Sequence, residues 1–170
     1  PYVIEDADAM FRNWANDPQV TKYLSWEPHK DVEETKQILE GWIKSYESKD
    51  FYTWAIARKE DEGNVIGSIS VPQLNQKAGR VTGGYCLGRN WWGHKIMKEA
   101  FAELIRFFFE VEGANRVEAL HDTRNVNSGK VMMACGLKKE GTLRQYGWNN
   151  QGICDECIYG MVASDYFEGK

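Results

Sequence analysis

Between Tyr85 and Glu99 the chain reads Tyr-Cys-Leu-Gly-Arg-Asn-Trp-Trp-Gly-His-Lys-Ile-Met-Lys-Glu, and no other stretch is richer in residues able to do chemistry. An extended run ends at Leu87, a loop containing Gly88 follows, and the pattern predicts a long helix from about Trp92 or Gly93. Free N–H groups at a helix start, together with the helix dipole, attract an anion. Gly93 permits a close backbone approach, and His94, Lys95 and Lys98 add positive or potentially positive charge. A pyrophosphate would fit there. Strand–loop–helix junctions with one glycine are common, so by itself this pattern specifies an anion and nothing finer.

A second candidate, Cys154-Asp155-Glu156-Cys157, has the C-x-x-C spacing of redox and zinc sites. A zinc site needs two further ligands, and His29, His94 and His121 offer no matching pair. Residues 153–163 read as a strand, on which a separation of three puts the two thiols on opposite faces. With Cys86 and Cys135 these are read as reduced, structural cysteines of a cytoplasmic protein, with no metal.

The elements that must position these residues are read along 170 residues, a length that suits one domain. Hydrophobic residues make up 42% and charged residues 27%, which excludes a disordered chain. The net charge of −4 argues against a sequence-independent nucleic-acid binder, and no apolar run is long enough to span a membrane. No secretion signal is visible, and the opening Pro1 predicts further residues ahead of this numbering.

Asp6 is expected to cap a short helix through Trp14, stopped at Asn16-Asp17-Pro18. Asp31 and Glu34 form a capping box ahead of Ile38, Leu39, Trp42, Ile43 and Tyr46 at helical spacing. Residues 52–58 and 65–71 read as a hairpin turning at Glu62-Gly63-Asn64, and 79–87 as a third extended run. The long helix runs to Val111 with Ile96, Ala100, Leu104 and Phe107 on one stripe. A strand at 116–121, a helix at 128–135 ended by Gly136, and strands at about 138–146 and 153–162 complete the chain. The order α-α-β-β-β-α-β-α-β-β predicts a mixed α+β or α/β single domain over 1–170, with a central sheet.

That order, the Trp92-Gly93 junction leading to Glu99-Ala100, and Asn125-x-x-Ser128-x-x-Val131-Met132-x-x-x-Gly136-Leu137 together resemble the GNAT superfamily of acetyl-CoA-dependent N-acetyltransferases. Within it the chain is most similar to the RimJ/RimL-type branch, which the later Glu140-Gly141-Thr142-Leu143-Arg144 and the early Asp6-Ala7, Val20, Leu24, Trp26 and Pro28 also match. The resemblance covers essentially the whole chain. It implies a mostly antiparallel sheet flanked by helices and splayed after its third strand, with the pantetheine arm of acetyl-CoA in the opening. Leu87 and its neighbours would then bond pantetheine and polarise the thioester carbonyl, an oxyanion-hole role. Trp92, Gly93, His94, Lys95, Ile96 and Met97 would hold the pyrophosphate, Asn125 the pantetheine amide, and Lys130 a phosphate. Ser128 is the implied acid, donating a proton as the coenzyme thiolate leaves. The plainer readings are a helix cap for Asn125 and a small packed residue for Ser128.

The family loop usually reads Gln/Arg-x-x-Gly-x-Gly/Ala, and Asn90 and Lys95 stand at its first and last positions. Lys95 fits such a loop if its φ is negative. The acidic residue often found early in the third strand is Thr82 here, so no general base is visible at that place. A lysine amine costs about 4.6 kcal/mol to deprotonate at pH 7, an α-amine about 1. The chemistry therefore favours an α-amine or an aromatic amine, and the resemblance implies a protein N-terminus, or a small amine, as the acceptor. Trp26, Tyr85 and Asp155 are assigned to the acceptor, and Asp155, Glu156 and Glu27 are candidate carboxylates to receive its proton through a water relay. Trp26, Tyr52, Trp54, Tyr146 and Trp148 could line its pocket, or be core or homodimer surface; His121 is read as structural. A non-catalytic acyl-CoA-binding domain on the same fold stays open, on Asn90, Lys95 and Thr82.

Overall fold

A computed structural model describes residues 1–169. Six strands form one sheet in the order β1-β2-β3-β4-β6-β5: β1 (Thr53–Arg58), β2 (Asp61–Asn75), β3 (Arg80–Leu87), β4 (Arg116–Asp122), β5 (Lys138–Asn149) and β6 (Gly152–Val162). Every pairing is antiparallel except β3–β4, which runs parallel from Arg80↔Arg116 only as far as Gly83↔Ala119. Beyond that pair the strands part. Residues 84–87 of β3 and 120–122 of β4 form the two arms of the splay that the resemblance implies.

Alternation along β2 separates two cores. Val65 faces a cluster with Trp14, Met10 and Leu39, contributed by α1 (Ala7–Met10), the wider π-type turn Phe11–Ala15 and α3 (Val32–Ser45). Ile66 faces the larger cluster built on α4 (Ile96–Glu110), whose Phe101, Leu104, Ile105 and Phe108 are all buried. α5 (Val126–Ala134) lies beside α4 on the same face and contributes Met132. The opposite face of β4 and β6 carries charge instead. There buried Glu118 takes Arg116 Nε at 2.7 Å and Thr82 Oγ1 at 3.1 Å. Thr82, at the position where a base was sought, is thus a donor to a structural carboxylate.

Several elements differ from the sequence reading. Asp6 does not cap a helix behind it; its Oδ2 accepts from Val3 N at 3.0 Å, and the helical stretch already starts at Ile4. Asp17 opens a further short helix, α2 (Pro18–Thr21), by accepting from Gln19 N. Asp31 does cap α3, but Glu34 reaches back to Lys30 N. The first hairpin turns at 59–60, and 62–64 belong to a longer β2 with bulged pairing. The long helix begins at Ile96, not at Trp92 or Gly93, because Gly93 (φ 81°) and Lys95 (φ 63°) are left-handed and cannot extend a right-handed helix. A C-terminal helix, α6 (Ala163–Glu168), follows β6 directly.

Aromatic packing ties α4 to the sheet. Phe101 is fully buried and meets Tyr85 of β3 at 5.1 Å between ring centroids. Tyr52 and Trp54 pack on Phe107 or Phe108 and are core, not acceptor pocket. Phe101→Ala is expected to cost about 3–5 kcal/mol in denaturant unfolding; a loss below about 1 kcal/mol would show that α4 is not anchored here.

Candidate active site

The arms of the splay open onto a cleft of about 550 Å³ on the α4–α5 side of the sheet. Tyr85 and Leu87 line it from β3, Gly93, Lys95 and Met97 from the turn into α4, and Asn125, Ser128 and Lys130 from α5. Trp92 and Ile96 also line it, so eight of the nine residues assigned to the cofactor meet in one place; His94 is exposed on the loop outside it. Lys98, read from the sequence as added charge near the anion site, lines it too, and the sequence reading missed Tyr23, Leu24 and Asn127 as wall residues. Tyr23 and Leu24 lie far back in the chain, and no spacing rule connects them to α4.

The loop is built for backbone exposure. A Cβ on Gly93 would meet no heavy atom within 4 Å, so the peptide there faces open space. The condition placed on Lys95 is not met: its φ is positive, in the conformation that glycine adopts without cost. Its side chain nevertheless lines the cleft with those of Lys98 and Lys130, and these three ammonium groups suit a polyphosphate.

At the floor of the cleft two hydroxyls meet. Tyr85 Oη donates to the Ser128 carbonyl at 2.9 Å, and Ser128 Oγ donates to Tyr85 Oη at 3.1 Å. Burial pushes the Tyr85 phenol well above its ordinary range, so it stays protonated. Tyr85, assigned to the acceptor, is therefore a partner of the proposed acid. Asn125 makes no side-chain cap on α5; its backbone is engaged, the N–H by Asp122 O at 2.7 Å and the carbonyl by Ser128 N at 3.1 Å. The cap reading fails and its amide remains available. The Leu87 carbonyl accepts from Trp92 Nε1 at 2.7 Å, which uses one of its two lone pairs.

The outer arm is fixed by Asp122. Its carboxylate takes Arg124 Nη2 at 2.5 Å, Arg124 N at 2.8 Å and Asn149 Nδ2 at 2.8 Å, and these bonds, the Arg124 guanidinium foremost, hold it far below the usual carboxylate range. Next to Asn149, Asn150 bridges to the N-terminal layer: its N–H reaches Leu24 O at 3.1 Å and its Nδ2 reaches Thr21 O and Trp26 O. The β5–β6 turn thus closes over the gap between the arms.

The remaining acceptor assignments separate. The Trp26 ring packs on His29 and does not line the cleft. Asp155 accepts from Gln145 N at 2.8 Å, outside the cleft. Tyr146 and Trp148 are exposed on β5, and Glu27 is exposed. His121 is buried beneath α5 with Nδ1 on Asp122 O at 2.7 Å, the structural role expected. Cys154 and Cys157 face opposite sides of β6, near Asn149 and Thr142 respectively; burial and Asp122 push the Cys154 thiol up to about 11. Glu156 is half-buried beside Asp122, and burial, then that neighbouring charge, raises its carboxyl.

Residues 1–138 match the profile of the acetyltransferase (GNAT) domain family. The chain belongs to the GNAT family of N-acetyltransferases. It is 32% identical over 164 residues to the uncharacterized N-acetyltransferase p20 of Bacillus licheniformis, covering 96% of this chain and 90% of that protein. It is 23% identical to the [ribosomal protein uS5]-alanine N-acetyltransferase of Escherichia coli, over 85% of this chain and 77% of that one. Among solved structures, an acetyltransferase so described from T. thermophilus superposes with a TM-score of 0.82 at 29% identity, covering 99% of this chain and 86% of that one. The microcin C7 self-immunity acetyltransferase MccE, solved with acetyl-CoA and AMP, shares the fold with a TM-score of 0.83 at 20% identity, covering 94% and 88%.

Two outcomes follow for stability. Lys95→Gly should raise unfolding stability by about 1 kcal/mol, because glycine adopts the left-handed conformation freely; no gain would mean that Lys95 makes compensating contacts. Glu156 binds its proton more tightly when folded, so its contribution to stability is complete below the unfolded glutamate pKa and is lost as pH rises through the raised value. Thermal unfolding should therefore find Glu156→Gln more stable than wild type at pH 7, a difference that vanishes near pH 3.

Proposed function

We propose that this GNAT enzyme transfers the acetyl group of acetyl-CoA to the α-amine of a protein or peptide N-terminus, by direct attack on the thioester. The observation that carries this reading is the Ser128–Tyr85 hydroxyl pair at the point where β3 and β4 part, in a cleft whose rim offers an open backbone loop and three lysines. These residues fit acetyl-CoA: the Gly93 peptide, Lys95, Lys98 and Lys130 for its phosphates, and the Asn125 amide and the β3 arm at Leu87 for pantetheine. When bound it supplies an activated acyl group with a thiolate leaving group.

In this reading Ser128 supplies the proton that the departing sulfur takes. Its Oγ then recovers a proton from Tyr85 Oη across 3.1 Å, and Tyr85 regains one from solvent. The neutral phenol is suited to this because burial keeps it protonated throughout the working pH range. The α-amine preference rests on the low cost of deprotonating it and on the E. coli relative, whose name specifies an alanine of a ribosomal protein.

Thiol release from acetyl-CoA, coupled to mass spectrometry of the acceptor, tests this directly. An N-terminal-alanine peptide should be acetylated at its α-amine at least tenfold faster than a lysine peptide with a blocked N-terminus. Acetylation of small amines alone, or of lysine preferentially, would replace the α-amine reading. Ser128→Ala should lower kcat by about 10²-fold while acetyl-CoA affinity stays within twofold; unchanged turnover would remove Ser128 as the acid.

A further inference from the structure

We propose that Glu156 accepts the proton released by the acceptor amine; this rests on the acetyl-transfer reading above and selects one of the three carboxylates, Glu27, Asp155 and Glu156, that the sequence left open. Along β6, Cys157, Tyr159 and Met161 point into the α4–α5 core, so Glu156 points to the other face of the sheet. It pairs with Asp122, three residues beyond the last β3–β4 pair, and so lies on β6 directly beside the outer arm, at the level that Cys86 occupies on the inner one. An amine reaching the gap from the face opposite the cleft would meet it there.

Glu156 is also the carboxylate left without a partner. Among the described residues no hydrogen bond or ion pair holds its side chain, whereas its neighbour Asp122 takes Arg124 and Asn149. The groups facing it are few: Asp122 from β4 with Arg124 bonded to it, Cys154 from its own strand, and uncharged Leu143 and Gly147 from β5. Gly147 makes the room, since a Cβ there would collide with Glu156 Oε1. An unpaired half-buried carboxylate beside a second negative charge attracts an ammonium group and takes its proton more readily than a solvated one would.

In the transfer step the ammonium gives one proton to Glu156, and the neutral nitrogen forms the N–C bond to the acetyl carbon. The C–S bond breaks with its electron pair on sulfur, which takes the Ser128 proton. The second nitrogen proton passes to solvent, which re-protonates the Tyr85–Ser128 pair.

The test compares wild type with Glu156→Gln, using acetyl-CoA and an N-terminal-alanine peptide, from pH 5.5 to 9. Wild-type kcat should fall on the acid side with a one-proton slope as Glu156 protonates. Glu156→Gln should lose at least tenfold in kcat at pH 7, lose that acid limb, and keep calorimetric acetyl-CoA affinity within twofold. Retained kcat, or a reduced kcat with the acid limb intact, would overturn the assignment, the latter because a purely positioning role leaves the titration in place. A wild-type protein that binds acetyl-CoA but acetylates no amine at any pH would overturn the transfer reading and this inference together.

Discussion

The parting of β3 and β4 after Gly83↔Ala119 is the constraint on which the rest of this molecule depends. A parallel pair that ends midway leaves backbone groups on both arms without their ladder, and unpaired buried backbone is costly. The arms are therefore furnished with other partners. Trp92 satisfies the Leu87 carbonyl on one side. On the other, Asp122 and Arg124 fix the end of β4, and Thr123 N bonds Asp155 O. Tyr85 reaches across from β3 to the Ser128 carbonyl and pins α5 to the inner arm. The Asn150 bonds to Thr21, Leu24 and Trp26 join the two halves at the top. Packing keeps the gap open while hydrogen bonds at its rim fix its width.

This arrangement divides labour between the two faces of the sheet. On one face, α4 and α5 bury an aromatic core and present helix starts and lysines to a cleft. On the other, Asp122 at the end of the outer arm and Glu156 beside it on β6 present two carboxylates, one neutralised by Arg124 and one not. A reaction that joins an anionic coenzyme to a cationic amine needs that polarity, because each partner is drawn to its own side and the gap is where they meet. Lys95 sits at the junction at a conformational cost. A left-handed lysine exchanges the ease of glycine for a charge on the cleft wall, a trade consistent with binding phosphate.

Much of this was legible in the residues. Alternation in β4 and β6 and the helical stripe of α4 are strong periodic signals, and the order of elements followed from them. The loop at Trp92-Gly93, with Asn125 and Ser128, was assigned through the resemblance to GNAT acetyltransferases, and the fold brings these residues to one cleft. Long-range partners were not legible. Tyr85 and Ser128 are 43 residues apart and Asn150 and Thr21 are 129 apart, so only the folded sheet shows that they bond. The start of α4 was misplaced because nothing in the sequence marks Lys95 as left-handed. Asp155 looked like the useful acid of its pair, but Gln145 N engages it and the alternation of β6 leaves Glu156 beside Asp122, at the end of the outer arm.

We take the gap between β3 and β4, entered past the Gly93 loop, to be the acetyl-CoA slot, and everything proposed for the reaction rests on it. Calorimetric titration of wild type and Gly93→Val with acetyl-CoA tests it most directly. Gly93 is left-handed and its Cβ direction opens onto the loop, so valine both strains the backbone and covers the peptide. Wild type should bind at micromolar concentration, and the folded variant should bind at least a hundredfold more weakly. Equal affinity in the two proteins, or no binding by wild type, would contradict the assignment.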